Sequence, residues 1–153
     1  MEGAKRSQTK KAGKKRARPL RALTLSPVEV ARLCAEVAVA HKAEEPVILN
    51  VAEMASFTDY FVILSGRSTR HVQAVAEHIE KALHEHHLKL MGAEGLAEGQ
   101  WVLLDAGDVI VHIFYHPVRV FYDLEGLWAE ALQVDLTGAT IKRPASVRPE
   151  TDS

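Results

Sequence analysis

Only one cysteine, Cys34, occurs in the chain, so no internal disulfide can staple the fold and nothing points to an oxidising compartment. Its neighbours Ala31, Leu33 and Val37 suit a buried helix residue better than a nucleophile. No apolar run approaches the roughly 20 residues that cross a bilayer. The first residues lack the apolar middle of a signal peptide, and their Lys-rich, Gly-broken pattern makes a poor transit peptide. A cytoplasmic protein with no membrane partner is the expectation. Also missing are a Walker motif, a dinucleotide fingerprint, zinc-ligand spacing and a Ser-His-Asp pattern, so the sequence implies no cofactor and no metal. No internal repeat is visible.

Net charge is scarce as well, at a formal -1, but this balance hides two opposed regions. Nine Lys or Arg and one acid, Glu2, fall within the first 21 residues, which leaves ten bases against 19 acids in the rest. Residues 1–24 contain almost nothing to bury and read as a disordered basic arm. Its cations, Lys10, Lys11, Lys14, Lys15 and Arg16 among them, suit phosphates and are candidate RNA contacts. The acidic remainder suits a basic partner.

What is present is a globular chain, 47% hydrophobic, long enough for one domain with a core. Ser26-Pro27-Val28-Glu29 is a capping box with proline at the first helical position. Val30, Leu33, Cys34, Val37 and His41 then recur at helical spacing, and Pro46 closes that helix. Val47–Val51 and Tyr60–Leu64 read as strands, joined by the loop Ser56-Phe57-Thr58-Asp59. Ser68 caps a second helix with the stripe Val72, Val75, Ala76, Ile79 and Leu83. Leu88–Met91 reads as a short strand, followed by the glycine-punctuated loop 92–99. Trp101–Asp105 and Val109–Tyr115 form a hairpin whose turn is Ala106-Gly107. Pro117 opens a last helix over 118–132, with Phe121, Leu124, Leu127 and Trp128 inward. This order predicts an α/β domain over 25–134, a single mixed β-sheet covered by helices, and a flexible tail over 135–153. Val109–Tyr115, apolar on both sides, belongs in the middle of the sheet.

Side chains alternate across strands. Pairing Asp105 with Asp108 sets Leu103 opposite Ile110 and Trp101 opposite His112. One face then holds Trp101, Leu103, Asp105, Asp108, Ile110 and His112; the other, Val102, Leu104, Val109 and Val111, is plain core. The mixed face has two readings. Trp101 packs under a helix while both aspartates cap the turn, or the tryptophan anchors a partner surface with a polar rim.

Other chemistries find little support. His84-Glu85-His86-His87 points to different sides of a helix end, where positive charge is favourable, and does not converge on one ion. His112 and His116 lie four apart but lack a third ligand. Ser65-Gly66-Arg67-Ser68, at a strand-to-helix turn, is similar to the start of a nucleotidyltransferase site. Such enzymes need carboxylates that gather divalent metals, and Leu88-Lys89-Leu90-Met91 carries none. The expectation is a protein that is not an enzyme.

Four ordered motifs between Ser26 and Leu132 carry a resemblance. Asn50-Val51 with Ser56-Phe57-Thr58-Asp59-Tyr60-Phe61-Val62-Ile63 resembles the "D…S…TDYFVI" segment of the Iojap-related ribosomal silencing factors. Ser65 to Val72 is similar to that family's "SG-S-R-V" turn. Glu94-Gly95 followed by Trp101 to His112 resembles its longest signature, and Phe121 to Trp128 its closing helix. Asn50 replaces a commoner acid, His116-Pro117-Val118 varies the usual link, and the basic arm lies outside the family core. The resemblance implies a nucleotidyltransferase-like fold lacking catalytic acids. It further implies binding to the large ribosomal subunit through universal large-subunit protein fourteen, with joining of the small subunit prevented and translation lowered during nutrient limitation. The contact residues it implies are Trp101, Leu103, Asp105, Asp108 and His112, with Asp59 and Tyr60 nearby. A homodimer of the free protein is compatible with it. An RNA-binding ribosome-assembly factor that works through the arm is the competing reading.

Overall fold

The structure, a computed structural model, describes residues 25–141. The arm, with Lys10, Lys11, Lys14, Lys15 and Arg16, and the tail beyond 141 lie outside the described residues. The first helix, α1 (Pro27–Ala40), begins as the sequence dictates: Ser26 Oγ accepts from Glu29 N–H, and Glu29 Oε1 accepts from Ser26 N–H at 2.8 Å. It ends before Pro46, because Lys42 turns left-handed (φ 74°) after the cap residue His41. Pro46 instead lies in strand β1 (Glu44–Asn50), at the irregularity between Glu44 and Val47, where a missing N–H does least harm.

Strand β2 (Tyr60–Gly66) leads into α2 (Thr69–Glu85), whose stripe Val72, Val75, Ala76, Ile79 and Leu83 is buried as the periodicity predicts. Glycine is required at the joint. A Cβ on Gly66 would stand 2.6 Å from Val72 Cγ2. Then follow β3 (Gly92–Glu94), β4 (Trp101–Asp105), β5 (Val109–Tyr115), α3 (His116–Tyr122), α4 (Leu124–Leu127), β6 (Leu132–Val134) and β7 (Thr140–Ile141). The sheet order is β3-β4-β5-β2-β1-β6-β7. Neighbours are antiparallel except β2 and β5, which run parallel and are linked through α2. The expected single mixed sheet with helices is therefore present, and β5 lies inside it.

Three expected boundaries are corrected. The strand after α2 is Gly92–Glu94, not Leu88–Met91. Leu88 and Leu90 pack against the core from a non-strand segment. The last helix is broken at Asp123, which sits in the left-handed region (φ 49°, ψ 55°) and accepts from Gly126 N–H to cap α4. Aspartate tolerates that conformation and is a favoured cap. The sheet also continues past Val134, since β7 pairs with β6.

Two hydrophobic clusters lie on opposite faces of the sheet. One joins α1 and α2 to Ile48, Val62, Leu64, Val102, Leu104, Val109, Val111 and Ile113. Small residues Ala31, Cys34, Ala35 and Ala38 form the inner side of α1. Burial pushes the Cys34 thiol up to about 12, which leaves it inert. The other cluster holds Leu49, Val51, Phe61, Ile63, Ile110 and Phe114, and among the described residues its helical cover is the short α3–α4 segment. Among the described residues, no helix is long and apolar enough to cross a membrane.

Candidate partner-binding site

The hairpin register differs from the expected one by two residues. Trp101 lies opposite Phe114, Leu103 opposite His112, and Asp105 opposite Ile110. The connection is Gly107-Asp108, closed by Ala106 N–H on Val109 O at 2.9 Å. Gly107 takes φ 87° there, a conformation alanine resists, so the glycine enters the loop and displaces Ala106 from it. A slip of two preserves the alternation. Trp101, Leu103, Asp105, Ile110 and His112 still share one face, joined by Phe114, but Asp108 leaves the strand for the exposed loop.

On that face an aromatic strip crosses the sheet. Phe57 and Phe61 lie 6.4 Å apart, and Phe61 meets His112 at 5.0 Å and Trp128 at 4.9 Å, both edge-to-face. Trp101 contacts Phe114 at 4.8 Å and Tyr122 at 5.0 Å, and Tyr122 meets Phe121 at 5.0 Å. The strip is open at both ends: Phe57 is 61% exposed and Phe121 79%. A groove of about 530 Å³ runs between Trp101, Tyr115, Val118, Phe121 and Tyr122. Phe121 and Leu127, expected inward, face outward, because the break at Asp123 stops one helical stripe from spanning the segment.

His112 is not itself a contact surface. It is only 5% exposed, and burial lowers its pKa from 6.5 to about 4, so the ring is neutral. Its Nδ1 accepts from Trp101 Nε1–H at 3.1 Å. Trp101 and Leu103 are half-buried and border the second cluster. Asp105 does cap the turn, accepting from Gly107 N–H at 2.8 Å, and Trp101 is neither fully buried nor fully exposed.

Asp59 and Asp108 meet at one end of the sheet. The Asp108 carbonyl accepts from the N–H groups of Asp59 and Tyr60, at 3.0 and 3.1 Å. Tyr60 belongs elsewhere. It packs against the α1–α2 cluster, on the face opposite Trp101, because β2 places Tyr60, Val62 and Leu64 there by alternation. Burial, then the charge of Asp59, raises its phenol pKa.

The α3–α4 roof is held by a buried ion pair that periodicity does not reveal. Arg119 donates to Glu125 through Nη2 at 2.8 Å and Nε at 3.3 Å, and through Nη1 to Glu45 O at 2.8 Å and Ser65 Oγ at 2.9 Å. Both side chains are under a tenth exposed. This fork anchors to the sheet the segment that carries Phe121 and Tyr122. The available signal was the motif Arg119 to Glu125, whose cation sits where an inward helix position falls. Among the described residues, no group of three or more His, Cys, Asp or Glu is arranged to hold a metal. His116 turns to Ser65 Oγ and Glu45 instead of joining His112.

Comparison with known proteins follows the same outline. The family model "Ribosomal silencing factor during starvation" matches residues 24–153, a longer span than the motifs from Ser26 to Leu132. A ribosomal silencing factor of Halalkalibacterium halodurans is 40% identical over 97 residues, 63% of this chain and 83% of that protein. The mouse protein named "Mitochondrial assembly of ribosomal large subunit protein 1" is 34% identical over 91 residues, 56% of this chain and 39% of its own length. A crystal structure of a Chromobacterium violaceum protein superposes with a TM-score of 0.67 at 33% identity, covering 69% of this chain and 88% of that one. The family model, the relatives and the structural likeness agree, and the chain belongs to the ribosomal silencing factor family.

Proposed function

We propose that the protein binds the large ribosomal subunit through universal large-subunit protein fourteen, blocks association with the small subunit and so represses translation during nutrient limitation. It acts in the cytoplasm as a binding protein, without a catalytic step. The observation that carries this reading is the open aromatic strip from Phe57 through Trp101 to Phe121, beside the acidic end formed by Asp59, Asp105 and Asp108. Aromatic anchors with a polar rim are what protein interfaces favour, and carboxylates at the rim suit a basic ribosomal protein and speed its encounter. The relative named for the ribosomal large subunit supports the choice of subunit.

Two exposed positions test the surface without touching the core. Phe121→Ala and Asp108→Lys are expected to melt within about 0.5 kcal/mol of the parent. Asp108 holds its loop to β2 through its backbone carbonyl, which the lysine keeps. Both variants are expected to weaken cosedimentation with large subunits. Trp101→Ala, at the centre of the strip, is expected to lose roughly 2 kcal/mol or more of binding, about 30-fold in affinity. Wild-type cosedimentation by all three would remove this face from the interface.

A further inference from the structure

The Trp101–His112 couple has an internal logic that packing does not explain. An indole N–H only donates, so His112 Nδ1 must carry a lone pair and the proton of the neutral ring sits on Nε2. That Nε2 is buried and has no hydrogen-bond partner among the described residues. A buried donor without an acceptor is costly, and the surroundings are apolar: Phe61 stands edge-to-face at 5.0 Å, and Phe114 lies nearly parallel at 6.3 Å. Phenylalanine would fill this site with no orphaned donor of its own, at the cost of the acceptor for Trp101. What an imidazole adds is an acceptor, and the group it accepts from is a large, half-buried side chain that borders both the second cluster and the groove.

We propose that His112 is a positioning residue that uses Nδ1 to lock the Trp101 indole in the orientation the partner surface requires. This rests on the interface reading of the aromatic strip. The imidazole is clamped by Phe61 and Phe114, so its Nδ1 stands at a defined point beneath the tryptophan. The 3.1 Å bond then selects one indole rotamer from those a half-buried side chain can sample. An anchor ordered before binding does not have to be ordered during it, and preorganisation of this kind raises affinity with no new interaction. Trp101 in turn sets one wall of the groove shared with Phe121 and Tyr122.

The experiment compares His112→Phe and His112→Asn in the full chain. The asparagine Oδ1 falls near the Nδ1 position and can accept the same proton. Three readouts are taken: thermal melting, the ¹⁵N–¹H resonance of the Trp101 indole with Trp128 as internal reference, and cosedimentation with large subunits. His112→Phe is expected to melt no lower than the parent. Its Trp101 indole proton should move upfield and exchange faster with water, and its affinity should fall about tenfold. His112→Asn should recover the indole signal and most of the affinity. If His112→Phe binds as the parent does while Trp101→Ala does not, the positioning role is overturned and the interface stands. If Trp101→Ala also binds normally, the interface reading falls, and this inference with it. An unchanged indole resonance in His112→Phe overturns the inference whatever the affinity, as does a failure of His112→Asn to restore either signal.

Discussion

Replacing Arg119 by methionine is the sharpest test of how the aromatic strip is built. The substitution keeps an unbranched side chain but removes the fork that reaches Glu125, Ser65 Oγ and Glu45 O. With both partners under a tenth exposed, the Glu125 carboxylate is left deep in the protein without its counter-ion. Breaking a buried pair from one side costs about 3–5 kcal/mol. For a domain of this size, a loss near 4 kcal/mol is a fall in Tm of roughly 15 °C. Glu125→Leu alone should cost a similar amount, since the guanidinium then stays buried with only neutral acceptors. The double variant Arg119→Met with Glu125→Leu removes both charges. It still loses the Arg119 hydrogen bonds to Ser65 Oγ and Glu45 O, at about 1 kcal/mol each, so it should lose only about 2 kcal/mol, less than either single change. Urea or thermal melts of the four proteins give the cycle. Both single variants should also bind large subunits poorly, because α3–α4 carries Phe121 and Tyr122. Losses that simply add in the double variant, or an Arg119→Met penalty under about 1 kcal/mol, would show that no buried charge pair holds the roof.

Acid stability should report His112 directly. Its pKa falls from 6.5 to about 4 on folding because burial penalises the imidazolium, so the unfolded chain binds the proton first as pH drops. The stability linked to this group is therefore complete above pH 6.5 and is lost progressively down to about pH 4, by roughly 3 kcal/mol in all. Subtracting the pH–stability curve of His112→Phe from that of the parent isolates the slope, and parallel curves would contradict the neutral buried ring. The basic arm should supply salt-dependent, sequence-blind affinity. Deleting residues 1–21 should flatten log affinity against log salt for large subunits by about 0.7–0.9 for each phosphate the arm had neutralised, and an unchanged slope would mean that the arm touches no phosphate.

Much of this architecture can be read from local pattern. The capping box at Ser26, the α2 stripe from Val72 to Leu83 and the two faces of the hairpin all appear where the sequence predicts them. The hairpin shows why a face can be right when its register is not: side chains repeat every two residues, so a slip of two preserves the sides while exchanging partners. The turn itself was legible in principle, because only Gly107 tolerates the positive φ the loop needs. The same holds for the helix break, where Asp123 ends α3 and caps α4 inside an apparently continuous stripe, its side chain accepting from Gly126 N–H. Periodicity without attention to that cap turned Phe121 and Leu127 inward, whereas both lie outside.

Patterns of period two and 3.6 are properties of neighbouring residues, so the chain alone determined which segments become helix or strand, which side of each is apolar, and that no disulfide ties them together. Choices between distant partners had no such signature. Tyr60 and Trp101 are both aromatic residues at strand starts, yet β2 and β4 put them on opposite faces, which depends on how the two strands enter one sheet. Arg119 finds Ser65 54 positions earlier in the chain and Glu45 74 positions earlier, and His112 becomes the buried acceptor for Trp101 only because Phe61 and Phe114 close around it. Burial of a polar group depends on everything packed against it, so its partner, its protonation and its role were decided by the tertiary structure.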